Sequence, residues 1–310
     1  MTQYYTAENL DNALEILHRT AQVEVIAGGT DLIVSKRQGK RALPVNLLGI
    51  DGISELKKIE NLGGGALRVG ALATHAMLMS DSRLRGPRCA LADSAALIGS
   101  PSTRSLGTLG GNLANGSPAM DTGAPLVVLG ALVTLRSLVK ERVLPIEELF
   151  VGPGKTVIGA DELLISVDLP KFPDRTGSAY VRLEYRQAME IAIVGAATYI
   201  ELDEHDRVKH SKIALTAVAP TVIRATKAEM ELNGALTTVD TFSRVGEIAR
   251  LAANPISDVR APSQYREEVL AVIVARSIDA ASRRARGESI PFPANRIGWD
   301  PPIGEETICA

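Results

Sequence analysis

The first apolar residues of the chain recur with the period of a helix. Leu10, Ala13, Leu14 and Leu17 follow the i, i+3, i+4, i+7 spacing of an amphipathic helix. The hydroxyl of Thr6 is placed to cap its first turn. The pattern therefore predicts an early helix that packs by one face against a core.

A buried strand is predicted next, at residues 23–27. It runs into a tight Gly-Gly-Thr turn at residues 28–30 and a helix that starts within residues 31–37. A strand, a Gly-rich turn and a helix N-terminus in succession are a common way to hold a phosphate, because the free N–H groups of the helix point at the anion.

A second Gly-rich stretch, residues 100–121, lies between two apolar runs. Its Gly, Ser, Thr, Asn and Pro content predicts a loop around which the domain closes. Gly110 and Gly111 let a ligand approach the backbone closely, and their N–H groups are candidates for an anion nest. An ordinary surface loop is the alternative, but two such loops on one domain favour a ligand with two phosphates.

Other periodic stretches predict a mixed first half and a second half in which strands precede helices. In the first half, strands are predicted at residues 44–47, 66–69, 132–135 and 162–169, helices at 73–79, 87–98 and 121–129, and a hairpin turn at 63–65. In the second half, strands are predicted at residues 178–185, 191–202 and 213–218, and helices at 227–232, 242–253 and 263–284. Strands followed by helices indicate an α+β fold with antiparallel pairing.

A polar break at residues 171–177, ending in Gly177, predicts a domain boundary. We expect a first domain at residues 1–170, a second at 178–285 and an extended, proline-rich tail at 286–310. The tail is either disordered or lies along a partner subunit. Four apolar side chains favour the partner, since they are unusual in a free tail: Ile290, Phe292, Ile297 and Trp299.

Composition narrows the classes of function. The 310 residues carry 34 Lys and Arg against 36 Asp and Glu, a net charge of −2, which gives no indication of nucleic-acid or anionic-membrane binding. No apolar run reaches the roughly 20 residues that span a bilayer. No signal-peptide pattern is visible, so we expect a cytoplasmic protein.

The inventory of reactive side chains predicts neither metal ligands nor catalytic residues. Cys89 and Cys309 are the two cysteines, too few for the four ligands of an iron–sulfur cluster. The four histidines follow no metal-ligand spacing. No Ser–His–Asp or Cys–His constellation is visible.

Three motifs resemble one known family. AGGTDL at residues 27–32, TLGGNLANGSPAMD at 108–121 and YRQAMEIAIVGAA at 185–197 resemble the medium, flavin-binding subunit of molybdenum hydroxylases. That family includes the carbon monoxide dehydrogenase medium subunit and the flavin domain of xanthine dehydrogenase. The resemblance implies FAD as the cofactor and a two-lobed FAD-binding fold of the vanillyl-alcohol-oxidase (PCMH) type, with lobes at about residues 1–55 and 56–170. A carbon monoxide dehydrogenase flavoprotein C-terminal-like α+β domain would follow and cover the flavin.

The resemblance also implies the cofactor contacts. The two Gly-rich motifs would surround the pyrophosphate and the nearby ring, and Asp121 would accept a hydrogen bond from ribose or adenine. Its alternative role is the N-cap of the following helix. The implied cofactor-binding residues are Ala27, Gly28, Gly29, Thr30, Asp31, Leu32, Ile33, Val34, Ile98, Thr108, Gly110, Gly111, Asn112, Ser117, Asp121, Leu164, Arg182 and Ile191.

Within this set, Ile98 and Leu164 match apolar family positions beside the cofactor. The alternative is that each is an ordinary core residue. Ile191 would cover the ring. Arg182 stands where the family often has Lys, and the two cations differ because Arg is a planar fork and Lys a point charge.

The third motif carries further family positions beside the flavin. Arg186 falls where the family keeps an Arg near the flavin edge, and Glu190 where an Asp is frequent. A surface ion pair between them is the alternative. Met189 replaces a residue that is acidic in the xanthine dehydrogenases, a change expected to alter the flavin potential.

The resemblance implies an electron-transfer subunit of a heteromeric enzyme. Its partners would be a small [2Fe–2S] subunit and a large molybdenum-cofactor subunit, assembled as a dimer of heterotrimers, with electrons leaving FAD for an external acceptor. Two alternatives remain at this point. One is a self-sufficient FAD-dependent oxidoreductase with its own substrate pocket, and the other is a flavin-free structural protein.

Overall fold

A small parallel sheet forms the first lobe. The computed structural model describes residues 2–39, 42, 44–186 and 188–296. The elements of this lobe are β1 (Gln3–Thr6), α1 (Leu10–Arg19), β2 (Val23–Ile26), α2 (Thr30–Arg37) and β3 (Asn46–Gly49). The strands pair in the order β1–β3–β2, and both pairs are parallel. The predicted cap was wrong, since Asn9 caps α1 and Thr6 ends β1.

The second lobe is built on a five-stranded antiparallel sheet. Its elements are β4 (Ile59–Asn61), β5 (Leu67–Gly70), α3 (His75–Ser80), α4 (Cys89–Leu97), α5 (Pro101–Leu106), α6 (Leu109–Asn115), α7 (Gly123–Val128), β6 (Leu132–Arg136), β7 (Glu141–Pro145), β8 (Phe150–Gly152), β9 (Lys155–Thr156) and β10 (Leu163–Leu169). The order is β4–β5–β10–β6–β7, with β8 and β9 as a separate pair. The hairpin predicted at residues 63–65 is confirmed by the pairing of β4 with β5.

The Gly-rich stretch is more regular than the loop predicted for it, because α5 and α6 lie within it. Ser100 Oγ accepts from the N–H of Thr103 (3.2 Å), and Thr108 Oγ1 accepts from the N–H of Gly111 (3.1 Å). Each hydroxyl thus caps a helix. Pro101 stands at the start of α5, where its missing N–H costs no hydrogen bond.

The second domain places a four-stranded antiparallel sheet against helices. Its elements are β11 (Thr176–Leu183), β12 (Val194–Leu202), β13 (Val208–Thr216), β14 (Ile223–Arg224), α8 (Thr226–Leu232), α9 (Val239–Arg250) and α10 (Ser263–Ala285). The strand order follows the chain, so β11 is an edge strand. The long helix α10 packs across β11 and β12, which confirms the α+β architecture.

Gly177 does not break the pattern as predicted. It lies buried within β11, where a Cβ would stand 2.2 Å from the carbonyl oxygen of Ala281 on α10. The glycine therefore allows the strand and the helix backbone to touch.

The beginning of the predicted tail packs on its own chain. Phe292 packs against the core of the second lobe, and Ala294 is fully buried in the core of the second domain. These contacts differ from the expected contact with a partner subunit. Ile297, Trp299 and Cys309 lie outside the described residues. Among the residues that are described, no helix has the length and apolar character required to cross a bilayer.

Candidate cofactor site

The two Gly-rich motifs meet in space. A Cβ on Gly28 would lie 1.8 Å from the carbonyl oxygen of Leu106, and a Cβ on Gly107 would lie 3.5 Å from Thr30 Oγ1. The turn before α2 therefore packs directly on the segment between α5 and α6. Only a residue without a side chain permits this contact at position 28.

Helix α2 begins without a side-chain cap. Its N-cap residue, Gly29, has a φ of 67°, and among the described residues no side-chain cap bond reaches the first N–H groups of the helix. The N-terminus of α2 therefore offers free donors and the positive end of the helix dipole. Such an end suits an anion, and it lies beside the second motif.

The two glycines of the second motif have different surroundings. Gly110 is buried, donates to the carbonyl of Ala71 (2.8 Å), and would place a Cβ 2.7 Å from Ala71 Cβ. A Cβ on Gly111 would meet only Thr108 Oγ1, at 2.9 Å. The open side of this motif is therefore at Gly111, while Gly110 serves the packing of α6.

Apolar side chains around these motifs are exposed. Ile33 and Val34 on α2 are 41% and 49% exposed, Leu106 is 59% exposed and Ile191 is 54% exposed. The N–H of Met189 donates to the carbonyl of Gly99 (3.2 Å), which brings the segment carrying Ile191 onto the first domain. Exposed apolar surface of this kind fits a planar aromatic ligand.

Three of the predicted cofactor-binding residues make contacts within the protein itself. Leu164 is buried in the second-lobe core. Asp121 Oδ2 accepts from Arg182 Nη1 (2.6 Å), and Asp121 Oδ1 accepts from the hydroxyl of Tyr180 (2.7 Å). Asp121 does not cap α7, because Thr122 occupies the N-cap position there. Both oxygens of Asp121 thus already join the first domain to the second.

Arg182 is the centre of a buried ionic cluster. Its side chain is fully enclosed and also donates to Glu184 Oε2 (2.8 and 2.5 Å) and to the carbonyl of Leu97 (2.8 Å). Burial opposes its charge, but the neighbouring carboxylates, Asp121 first, hold the pKa of Arg182 above its usual value. Burial raises the pKa of Glu184. Burial also raises the pKa of Tyr180 strongly, so its hydroxyl stays a donor.

The other predicted positions differ in their exposure and in their hydrogen-bond partners. Ala27 packs at the edge of the first-lobe core, Asp31 is exposed, and Leu32 and Ile98 are half-buried. Asn112 accepts from Thr122 Oγ1 (2.6 Å), and Ser117 accepts from the N–H of Ala119 (3.3 Å). Arg186 and Glu190 form the ion pair (2.8 Å) of the alternative interpretation, in which the Arg186 side chain is exposed and the Glu190 side chain is largely buried.

Sequence reasoning missed His75 behind the two loops. Its backbone N–H donates to the carbonyl of Gly107 (3.0 Å), and its side chain is buried beside that glycine. Burial, assisted by the Arg104 guanidinium, lowers the pKa of His75 to about 4, so the ring is neutral at pH 7. Nothing in a lone histidine at the start of an apolar helix signalled this position.

Comparison with known proteins identifies the family to which the chain belongs. Residues 1–172 match the family model "FAD binding domain in molybdopterin dehydrogenase", and residues 179–281 match "CO dehydrogenase flavoprotein C-terminal domain". The chain belongs to the FAD-binding medium subunits of the molybdenum hydroxylases.

Relatives of this family cover nearly the whole chain. The Escherichia coli O157:H7 xanthine dehydrogenase FAD-binding subunit is 29% identical over 92% of this chain and 97% of its own length. The carbon monoxide dehydrogenase medium chain of Hydrogenophaga pseudoflava is 28% identical over 91% of this chain and 97% of its own. Reconstituted CO dehydrogenase from Oligotropha carboxidovorans superposes with a TM-score of 0.86 at 27% identity, covering 92% of this chain and 98% of that one.

The cofactor of this medium subunit is FAD, and the chain is an oxidoreductase component. The geometry fits that cofactor in two respects. The uncapped α2 N-terminus, which packs on Leu106 and Gly107, suits a pyrophosphate, and the exposed apolar side chains suit a flavin ring. In the part of the chain that the structure describes, no three His, Cys, Asp or Glu side chains form a candidate metal site.

Proposed function

We propose that this medium subunit transfers electrons from the [2Fe–2S] clusters of a small partner subunit, through its FAD, to an external acceptor. A large molybdenum-cofactor subunit would oxidise the substrate, and the complex would be a dimer of heterotrimers. FAD supplies the chemistry of this step, because it accepts electrons from a one-electron donor and passes on two.

Different groups of the protein would bind the pyrophosphate and the flavin ring. The N–H groups at the start of α2 and the open backbone at Gly111 would hold the pyrophosphate. Ile191 from the second domain and Ile98 from the first would lie against the flavin ring. The ring would thus be held between the two domains, with solvent excluded on its apolar side.

The observation that carries the proposal is the near-complete coverage of relatives that are named as parts of larger enzymes. Those names include "medium chain" and "dehydrogenase complex subunit alpha", and this chain covers 97% and 95% of these two proteins. Its two cysteines are too few to hold two [2Fe–2S] clusters of its own.

The test is purification of the tagged chain from its native cells. We expect FAD, iron and molybdenum to co-purify with two further chains, and the substrate of that complex to reduce its FAD. The isolated chain should be reducible by a chemical donor but should not oxidise the substrate. A matched complex carrying Gly111→Val should keep iron and molybdenum but pass no electrons to the acceptor.

One result would replace the proposal. If the chain purified alone and oxidised an organic substrate as fast as any complex containing it, the self-sufficient flavoenzyme would be the correct interpretation.

A further inference from the structure

The segment at residues 291–295, here called the strap, touches both domains. Phe292 lies under the guanidinium of Arg85, 4.2 Å from the ring centroid, and packs against the second-lobe core. Ala294 is buried in the core of the second domain, and Asn295 is 5% exposed. The strap therefore lies in the seam between the two domains.

The strap completes the open edge of β11. On that edge, the N–H of Tyr180 donates to Asp93 (3.2 Å) and the N–H of Arg182 donates to Asn295 Oδ1 (2.6 Å). The N–H of Ala294 donates to the same Asp93 (2.9 Å). Side chains thus take the place of a neighbouring strand and satisfy buried groups that would otherwise lack partners.

Asn295 also reaches the ionic cluster. Its Nδ2 donates to Glu184 Oε1 (3.3 Å), while Glu184 Oε2 accepts from Arg182. One amide therefore bonds both the backbone of Arg182 and the carboxylate two residues later. This is where β11 ends and residues 184–191, which carry Ile191, begin.

We propose that Asn295 is a positioning residue for the cofactor cleft. It fixes the end of β11 and so sets the segment at residues 184–191 against the flavin, without touching FAD itself. This inference rests on the proposed placement of the flavin beside Ile191, but not on the electron path or on the partner subunits.

The expected effect follows from the bonds that are lost. Asn295→Ala leaves the N–H of Arg182 and one oxygen of Glu184 buried without this partner, and those groups must move to find water. Residues 184–191 should then loosen. We expect the Kd for FAD to rise about tenfold.

The experiment compares full-chain variants by FAD titration, thermal unfolding and hydrogen exchange. Asn295→Ala should weaken FAD binding and speed exchange in residues 184–191. Asn61→Ala, at an exposed asparagine on β4, is the control and should change neither. If Asn295→Ala lowers the Tm but leaves the Kd and that exchange unchanged, Asn295 is only structural and the inference is wrong.

A second variant tests the inference if Asn295→Ala does not fold. Asn295→Asp keeps the acceptor for Arg182 but sets a carboxylate against Glu184, so FAD affinity should fall in this variant as well. An unchanged affinity would reject the inference. Loss of FAD in Gly111→Val together with full retention in both Asn295 variants would also reject it, and would leave the proposed function standing.

Discussion

Gly28 and Gly111 need to be glycine for different reasons. At Gly28 a side chain would collide with the backbone of Leu106, so the glycine permits the two motifs to pack together. At Gly111 the space beyond the α-carbon is open except for the hydroxyl of Thr108. The first glycine serves the fold, and the second leaves open the space in which we propose that the ligand binds.

Gly111→Val is therefore expected to remove FAD from a folded chain. The branched side chain would fill the space proposed for the pyrophosphate, and its Cβ would meet only the Thr108 hydroxyl, which caps the same helix and must shift slightly. We expect a native circular dichroism spectrum without flavin absorbance. Gly63→Val is the matched control, because a Cβ there meets nothing within 4 Å, and it should retain FAD. Full flavin occupancy in Gly111→Val would contradict the assignment of this motif.

His75 predicts a dependence of stability on pH. Its pKa is about 4 when folded and near 6.5 when unfolded, so between these values the unfolded chain binds the extra proton. This contribution to stability is therefore present above pH 6.5 and is lost as the pH falls towards 4, a total of about 3 kcal/mol.

Urea unfolding of wild type and His75→Gln across that range measures this contribution. The difference in unfolding free energy between the two should shrink by about 3 kcal/mol on acidification. A constant difference between wild type and His75→Gln would show that His75 titrates normally.

At the scale of elements, local patterns predicted most of the fold. The helical spacing of α1 and the strands followed by helices in the second domain depend on neighbouring residues, and both were found. Helices α5 and α6 were missed because Ser, Thr and Pro are typical of loops and of helix N-termini alike. Gly177 was misjudged because its reason is the backbone of α10, far along the chain.

In the candidate site, too, local features could be predicted from the sequence and features that depend on long-range packing could not. The Gly-rich motifs could be found from the sequence, since each is a local pattern. The contact of Gly28 with Leu106, the neutral His75 and the pairing of Asp121 with Arg182 depend on long-range packing. The placement of FAD on these residues remains a prediction.

At the scale of the whole molecule, a second buried ion pair joins the two domains. Asp93 on α4 is fully buried and accepts from both terminal nitrogens of Arg284 on α10 (2.5 and 2.9 Å). The backbone N–H groups of Tyr180 and Ala294 fill its remaining sites. Removing the arginine would leave a buried carboxylate without its counterion, which is costly.

Arg284→Met should therefore lower the free energy of unfolding by about 3–5 kcal/mol. Arg283→Met is a control one residue away, because Arg283 pairs with Glu288 at a partly exposed site and should cost less than about 1 kcal/mol. Calorimetry or urea unfolding compares the two. Equal losses would show that Asp93 does not depend on its partner.

The separation of Asp93 and Arg284 along the chain also determines when each of them is made during synthesis on the ribosome. The two residues are 191 positions apart, so at roughly 5–20 residues per second Asp93 emerges about 10–40 s before its counterion. Throughout that interval the nascent first domain presents a hydrated carboxylate at the surface that α10 and the strap later cover.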